Sequence, residues 1–123
     1  MSMKEPTSPT RVLHASLAFI EALAKHTDIA TLETQQQRLL ISLYLYGELS
    51  QQDLEKRTGV KRTANSRNIA RLGKGERPKV LAGPGWVDSY DDEEDRRNKR
   101  VYLTPRGRQM LERCAMEVAH LFV

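Results

Sequence analysis

The segment DRRNKRVYLTPRG, residues 95–107, changes from a charged stretch to an alternating one and then to a helix start. Residues 100–104, RVYLT, alternate large apolar and polar side chains, as half-buried β-strands do. WVDSY, residues 86–90, alternates in the same way. Pro105 cannot continue a strand ladder but suits the first turn of a helix, with Thr104 as N-cap. The sequence therefore predicts a β-hairpin at about residues 85–104 and a helix at about 105–123.

Five consecutive acids, Asp91 to Asp95, run directly into the basic residues that open this segment. The run lies between the two predicted strands and so falls at the tip of the hairpin. A charge run usually marks a solvated loop. Three interpretations stay open for Asp91 to Glu94: a solvated tip without function, acids that hold the basic residues of the hairpin in place, or acids that penalise misplaced binding.

Two short helices joined by a glycine turn are predicted before the hairpin. SQQDLEKRTG, residues 50–59, has Ser50 as N-cap and Leu54 as inward anchor, and Gly59 is placed to end the helix in a left-handed conformation. KRTANSRNIARLG, residues 61–73, follows and is rich in Arg, Ser, Thr and Asn. Such a pair indicates a helix-turn-helix at about residues 50–73.

Two further helices are predicted near the N-terminus. Apolar residues recur at three- and four-residue spacing from Thr10, the predicted N-cap of the first helix. The second starts near Thr34, whose hydroxyl is the predicted cap, and ends at Gly47. We expect residues 1–9 to be a disordered lead-in and residues 10–123 to form one domain. The fold class is mainly α with a small β-hairpin: a winged helix with flanking N- and C-terminal helices.

The charge distribution points to a polyanionic partner. The chain of 123 residues has a net charge of +4, and residues 56–79 hold nine basic side chains against one acid. A solubilising helix face is the alternative. No apolar run approaches a membrane span, and a single cysteine, Cys114, fits a reducing compartment, so we expect a cytoplasmic protein. Nucleic acid is the commonest polyanionic partner, and such a partner would make the protein nucleoid-associated. No nucleophile–base pair or metal-ligand spacing stands out, so neither an enzyme nor a cofactor is expected.

These segments together resemble the MarR family of bacterial winged-helix transcription regulators. Residues 95–107 are similar to the family's wing pattern of Asp-x-Arg, three residues, Val-x-Leu-Thr, two residues and Gly. Residues 85–87, GWV, are similar to the first wing strand, and residues 50–72 to the helix-turn-helix. The chain departs from the family at Asn65, where a buried Val is usual, at Lys61, which replaces a Ser cap, and in a longer loop at 73–85.

The predicted DNA contacts lie on the second helix of the helix-turn-helix and on the wing. A helical wheel turns Arg67 away from Asn65, Ile69 and Leu72, and an outward Arg can pair with guanine in the major groove. The full set of candidates on that helix and just after it is Lys61, Arg62, Thr63, Ser66, Arg67, Arg71 and Lys74. Of these, Lys61, Arg71 and Lys74 are expected at phosphates. The resemblance implies that Arg97 enters the minor groove with Asp95 orienting it, and Lys99 completes the set.

A homodimer is the predicted assembly, formed by the apolar faces of the first and last helices. The residues assigned to that interface are Leu13, Leu17, Ile20, Met110, Leu111, Val118, Leu121 and Phe122. Two-fold symmetry predicts a palindromic site with half-sites about 10 bp apart. The resemblance further implies a small-molecule effector, bound between the dimer helices and the DNA-binding lobe.

The predicted function is sequence-specific binding of double-stranded DNA by a transcriptional regulator, with repression as the expected effect. Two alternatives stay open. A plasmid- or phage-type replication or partition protein could carry the same fold and would favour direct repeats. A protein-interaction module could dock its acidic wing on a basic partner and would not bind duplex DNA at low salt.

Overall fold

The computed structural model describes residues 8–27, 32–75, 79 and 81–122. In chain order the elements are α1 (Pro9–His26), α2 (Thr34–Tyr46), β1 (Leu49–Ser50), α3 (Gln51–Thr58), α4 (Arg62–Leu72), β2 (Val87–Tyr90), β3 (Arg100–Leu103), α5 (Pro105–Val118) and a 3₁₀ turn (Ala119–Phe122). Contacts group them into two compact units, one formed by Glu33–Gln109 and the other by α1 and the chain from Met110 onward. The predicted winged-helix class is confirmed. Most of the predicted lead-in, residues 1–7, lies outside the described residues.

The ends of the short helices follow the predicted local signals. The Ser50 hydroxyl accepts the Asp53 N–H at 3.0 Å and caps α3. Gly59 ends α3 with φ 70° and ψ 10°, a left-handed conformation that glycine adopts without a steric penalty. These two residues fix where α3 begins and ends, and they set up the turn into α4.

The predicted start of α2 near Thr34 is confirmed, but the predicted N-caps of α1 and α2 were wrong. Ser8, not Thr10, caps α1, and its hydroxyl accepts the Arg11 N–H at 3.2 Å. Pro9 is then the first helical residue, a position that its fixed φ suits. Glu33, not Thr34, is the N-cap of α2, and its N–H donates to the Gln36 side chain at 3.1 Å.

The core of the helix-turn-helix unit is built from leucines and contains one unusual polar residue. Leu39, Leu43, Leu54 and Leu72 are buried. Asn65 is 0% exposed, its Nδ2 donates to the Val60 carbonyl at 3.0 Å, and its Oδ1 has no hydrogen-bond partner among the described residues. The predicted inward orientation of this residue is confirmed.

The wing is a three-stranded antiparallel sheet rather than a lone hairpin. The strand order is β1-β3-β2, with Leu49 opposite Val101 and Ser89 also opposite Val101 on the other side. β1 was not predicted, because two residues are too short to show alternation. The pairing places the start of α3 beside the first residue of β3, where the wing tip ends.

The residues just before β2 connect the start of α5 to the end of α4. The Thr104 hydroxyl donates to the Gly85 carbonyl at 2.6 Å and accepts the Gly107 N–H at 3.1 Å, so Thr104 caps α5 as predicted. The Trp86 N–H donates to the Leu72 carbonyl at 2.8 Å, and the Trp86 carbonyl accepts the Thr104 N–H at 2.9 Å. A Cβ on Gly107 would lie 2.2 Å from that Trp86 oxygen. Only glycine fits at this contact.

The second unit joins α1 to the C-terminal part of α5 and the 3₁₀ turn. The Cys114 thiol lies 3.6 Å from the Ala22 carbonyl, and Arg11 Nε donates to the Leu121 carbonyl at 3.0 Å. The His26 ring nitrogen lies 2.6 Å from a Glu117 carboxylate oxygen, and this hydrogen bond lowers the pKa of Glu117. α5 ends at Val118, earlier than predicted. None of the helices that the structure describes is long and apolar enough to cross a membrane.

Candidate nucleic-acid interface

α4 presents a polar, basic row on one face and buries the other. Asn65, Asn68, Ile69 and Leu72 are buried. Most of the predicted base and phosphate contacts on this helix are exposed, namely Thr63, Ser66, Arg67 and Arg71. The structure therefore brings these predicted side chains together on one exposed face, as their spacing requires.

Arg62 and Ser66 also lie on α4, but a residue of α3 holds them. Gln51 Oε1 accepts from Arg62 Nε at 3.2 Å and from Nη2 at 3.0 Å, and Gln51 Nε2 donates to Ser66 Oγ at 3.1 Å. Gln51 is only 7% exposed. This residue was not predicted from the sequence, because a glutamine after an N-cap carries no local signal of partners on another helix.

The cations at the two ends of α4 are exposed. Lys61 is the N-cap residue, and its side chain makes no capping hydrogen bond. Lys74 lies just beyond the C-terminal end. Arg71 Nη1 lies 3.8 Å from Glu33 Oε1, with both side chains about half exposed, and a pair of this kind contributes roughly 0–1 kcal/mol. These positions suit phosphate contacts, which need charge more than fixed geometry.

The wing tip carries Arg97 in full contact with solvent. Its side chain is 95% exposed, and Nε lies 3.9 Å from Asp95 Oδ1. The same carboxylate oxygen accepts the Arg97 backbone N–H at 3.2 Å, and the Asp95 carbonyl accepts the Asn98 N–H at 2.9 Å. Asp95 thus shapes the turn that presents Arg97. The orienting role assigned to it stays a prediction.

Two of the other wing acids make contacts within the tip. Asp91 Oδ1 lies 3.9 Å from Lys99 Nζ, both side chains being more than half exposed. Asp92 Oδ1 accepts the Glu94 N–H at 3.0 Å. The position of Asp91 beside Lys99 agrees with the interpretation that the acids hold basic residues of the hairpin in place. Asp92 instead shapes the backbone of the tip.

The end of the wing tip that leads into β3 is joined to α3 by hydrogen bonds. The Gln51 N–H donates to the Lys99 carbonyl at 2.9 Å, and the Gln52 N–H donates to Asn98 Oδ1 at 3.1 Å. The first N–H groups of a helix have no partner within the helix. Residues of the wing supply those partners here, so the wing and the helix-turn-helix share one polar junction.

A second contact links strands β2 and β3 of the wing. Glu48 Oε2 accepts from the Tyr90 hydroxyl at 2.7 Å and from Arg100 Nε at 3.1 Å. The hydrogen bond from Tyr90, followed by those from Arg100, lowers the pKa of Glu48, and the same Tyr90 bond raises the pKa of Tyr90. The cluster ties β2 and β3 to the residue just before β1.

The predicted dimer residues divide into exposed and buried sets. Leu13, Leu17 and Ile20 are 69%, 55% and 49% exposed and follow one face of α1. Phe122 is exposed and Leu121 is half-buried. A separate set is buried within the chain: Met110, Leu111 and Val118. The assignment of these three to the dimer interface is corrected, because their side chains are already covered in the single chain.

One cleft lies between α2 and α3. It encloses about 390 Å³ and is lined by Thr34, Gln37, Arg38, Ile41, Ser42, Arg57 and Thr58. Arg38 Nη1 donates to the Thr58 carbonyl at 3.2 Å, and the Arg57 guanidinium lies 3.9 Å from the centre of the Tyr46 ring. Across residues 8–27, 32–75, 79 and 81–122, no cluster of His, Cys, Asp or Glu could hold a metal ion.

The fold is shared with solved structures. RV1404 from Mycobacterium tuberculosis has a TM-score of 0.71 and 19% identity, over 92% of this chain and 70% of that one. A mutant of MarR from Escherichia coli, complexed with operator DNA, has a TM-score of 0.60 and 23% identity, over 92% of this chain and 76% of that one. BpsR from Bordetella bronchiseptica, whose DNA binding is regulated by 6-hydroxynicotinic acid, has a TM-score of 0.56 and 22% identity, over 89% and 78%.

These likenesses establish the fold. The chain has the winged-helix fold of MarR and of the other structures that it matches. It matches no protein-family profile and no curated protein.

Proposed function

We propose that the chain is a MarR-type transcriptional regulator that binds double-stranded DNA in a sequence-specific way. The observation that carries the proposal is the exposed row on α4, in which Arg67 is flanked by Thr63, Ser66 and Arg71. A helix of this width fits the major groove, where arginine can recognise guanine through two hydrogen bonds. The shared fold with a regulator bound to its operator supports the same conclusion.

The wing supplies the second contact in this proposal. Arg97 is almost fully exposed at its tip, and a narrow minor groove concentrates negative potential that attracts such a guanidinium. Lys61, Lys74 and Lys99 add phosphate contacts, which raise affinity and make it salt-dependent. Repression is the expected effect, because a protein bound at a promoter excludes other proteins from it. Association with the nucleoid would follow from DNA binding.

Arg67→Ala is expected to weaken binding to the preferred DNA site about 10- to 100-fold, because it removes a bidentate contact worth ~1–3 kcal/mol. The measurement is a selection of bound duplexes from a random-sequence pool, followed by titration of the enriched site. Arg97→Ala, run alongside, should weaken a flanking A·T preference. The matched control is Arg106→Ala, which removes the same charge from an exposed position in the first turn of α5.

A motif that survives Arg67→Ala unchanged would contradict the assigned role. If the wild-type chain enriches no motif and its weak binding depends steeply on salt, the basic face is only an electrostatic surface. No binding at low salt would favour the protein-interaction module, and direct repeats in place of a palindrome would favour the replication or partition protein.

A homodimer formed through the exposed apolar face of α1 is part of the proposal. Leu17→Glu should shift the chain towards monomer, because it places a charge in the middle of the Leu13, Leu17 and Ile20 stripe. Sedimentation equilibrium checks this, with Leu45→Glu as control, since Leu45 is 64% exposed on α2 outside that stripe. Equal oligomeric states for the two variants would rule out this interface.

A small-molecule effector stays a prediction. Its support is the likeness to BpsR, for which 6-hydroxynicotinic acid regulates DNA binding. The α2–α3 cleft, with Arg38 and Arg57 in its lining, offers cationic groups to an organic acid of that kind. Unchanged DNA binding across a panel of aromatic carboxylates would remove this part of the proposal.

A further inference from the structure

Gln51 hydrogen-bonds both Arg62 and Ser66, and its amide can take only one orientation between them. Arginine has only N–H donors, so the group that faces Arg62 must be the amide oxygen of Gln51. The amide NH₂ therefore points to Ser66 Oγ, at 3.1 Å. The usual ambiguity between the oxygen and nitrogen of a glutamine side chain is resolved by the chemistry of its neighbour.

This orientation leaves the Ser66 hydroxyl proton free of Gln51. Because Ser66 Oγ already accepts a hydrogen bond from Gln51, its own proton is available to a partner on the open side. Ser66 is exposed on the same face of α4 as Arg67. Ser66 therefore presents a donor to whatever binds that face.

The same contact orients Arg62. Gln51 Oε1 occupies the Nε and Nη2 edge of the guanidinium, at 3.2 and 3.0 Å. Gln51 does not contact the other end of the guanidinium, formed by Nη1 and the outer N–H of Nη2, so this end can donate two hydrogen bonds to a bound partner. Because Gln51 has already restricted the half-buried Arg62 side chain, less conformational entropy is lost when that end binds.

We infer that Gln51 is a positioning residue that sets the hydrogen-bond polarity of the recognition surface, so that Arg62 and Ser66 both present donors. The inference rests on the proposed function. Guanine offers two acceptors, O6 and N7, in the major groove. Cytosine offers one donor, the N4 amino group, and adenine offers one acceptor, N7, and one donor, the N6 amino group. The base pair that faces Arg62 and Ser66 is therefore read as guanine, without any contact from Gln51 to the DNA.

Gln51→Glu tests this inference because it keeps the shape of the side chain and removes its only donors. A carboxylate can still accept from Arg62, but it must also accept from Ser66, so the Ser66 hydroxyl turns inward and offers lone pairs outward. In the random-pool selection, guanine enrichment at one position of each half-site should fall about tenfold, with the other positions unchanged.

The matched control is Gln52→Glu. It makes the same change of charge one residue along α3, where the side chain is exposed and only the backbone N–H contacts the wing, at Asn98. It should weaken binding at all positions slightly, through repulsion of phosphates, and leave the base preferences as they are. Ser66→Ala should lower guanine enrichment at the same position as Gln51→Glu, and it should add little when the two changes are combined.

Three outcomes would overturn the inference: an unchanged motif in Gln51→Glu, a uniform loss equal to that of Gln52→Glu, or additive effects of Gln51→Glu and Ser66→Ala. Thermal melts establish that each variant is folded. If Gln51→Glu does not fold, Ser66→Ala carries the test, and unaltered guanine preference there contradicts the inference. A wild-type chain that selects no motif defeats the proposed function and this inference together, whereas a motif that depends on Arg67 but not on Gln51 defeats the inference alone.

Discussion

Asn65→Asp is expected to lower the free energy of unfolding by about 3–5 kcal/mol at pH 7, the size typical of an uncompensated buried charge. Asn65 has no exposed surface, and its amide nitrogen donates to the Val60 carbonyl at 3.0 Å. An ionised aspartate would place a negative oxygen against that carbonyl and remove the donor. Chemical denaturation of the variant and the wild type at pH 7 measures the difference.

The loss in Asn65→Asp should be smaller at pH 4 than at pH 7. Burial raises the pKa of the introduced carboxyl in the folded state above its unfolded value of ~3.9. The protonated acid is neutral and can donate to Val60, so stability is retained near the unfolded pKa and lost as the pH rises towards the folded one. A loss that is equal at the two pH values would contradict this account.

Asn98→Asp is the matched control for Asn65→Asp. Asn98 Oδ1 accepts the Gln52 N–H at the start of α3, at 3.1 Å. A carboxylate at that position keeps the acceptor and interacts favourably with the positive end of the helix dipole, by about 0.3–1 kcal/mol. The same chemical change is therefore expected to destabilise at residue 65 and to be neutral or stabilising at residue 98.

Gly107→Ala is expected to lower the free energy of unfolding by about 2–3 kcal/mol, as overpacking of a tight contact does. This decrease is opposite to the effect expected from helix propensity, because alanine is normally favoured over glycine in a helix by ~0.5–1 kcal/mol. An added Cβ would lie 2.2 Å from the Trp86 carbonyl oxygen, which also accepts the Thr104 N–H. The backbone at Trp86 must move, and its bond to Thr104 weakens.

Gln109→Ala serves as control for Gly107→Ala, since residue 109 is an exposed position of the same helix. It should leave the thermal unfolding midpoint nearly unchanged. A midpoint for Gly107→Ala at or above that of the wild type would show that the Trp86 contact relaxes without penalty. The glycine of the wing pattern would then need another explanation.

The fold could be predicted from the sequence where a short-range signal fixes an element. The Ser50 cap, the Gly59 turn and the Thr104–Pro105 helix start each act over a few residues, and each is confirmed. β1 was missed because a two-residue strand is defined only by its pairing with Val101. Ser8 and not Thr10 is the N-cap of α1, because Pro9 is suited to the first turn and the helix begins there.

The candidate site was predicted less completely, because its organisation depends on contacts between elements. The helical wheel places Arg67 outward, but it does not show that Gln51 reaches Arg62 and Ser66, 11 and 15 residues away in sequence. Periodicity likewise marked Met110 and Val118 as apolar without showing that the single chain already covers them. Sequence periodicity predicts which face of a helix is apolar, but the residues that pack against that face are known only from the tertiary structure.

The polar junction between α3 and the wing bears on how the chain folds. Most helices are capped by residues next to them, which lets the first turn form early and locally. α3 has such a local cap in Ser50, but its Gln52 N–H donates to Asn98, 46 residues further along the chain. That turn is completed only after the hairpin has closed, and such distant contacts slow folding. The helix-turn-helix is therefore expected to become fully ordered together with the wing rather than before it.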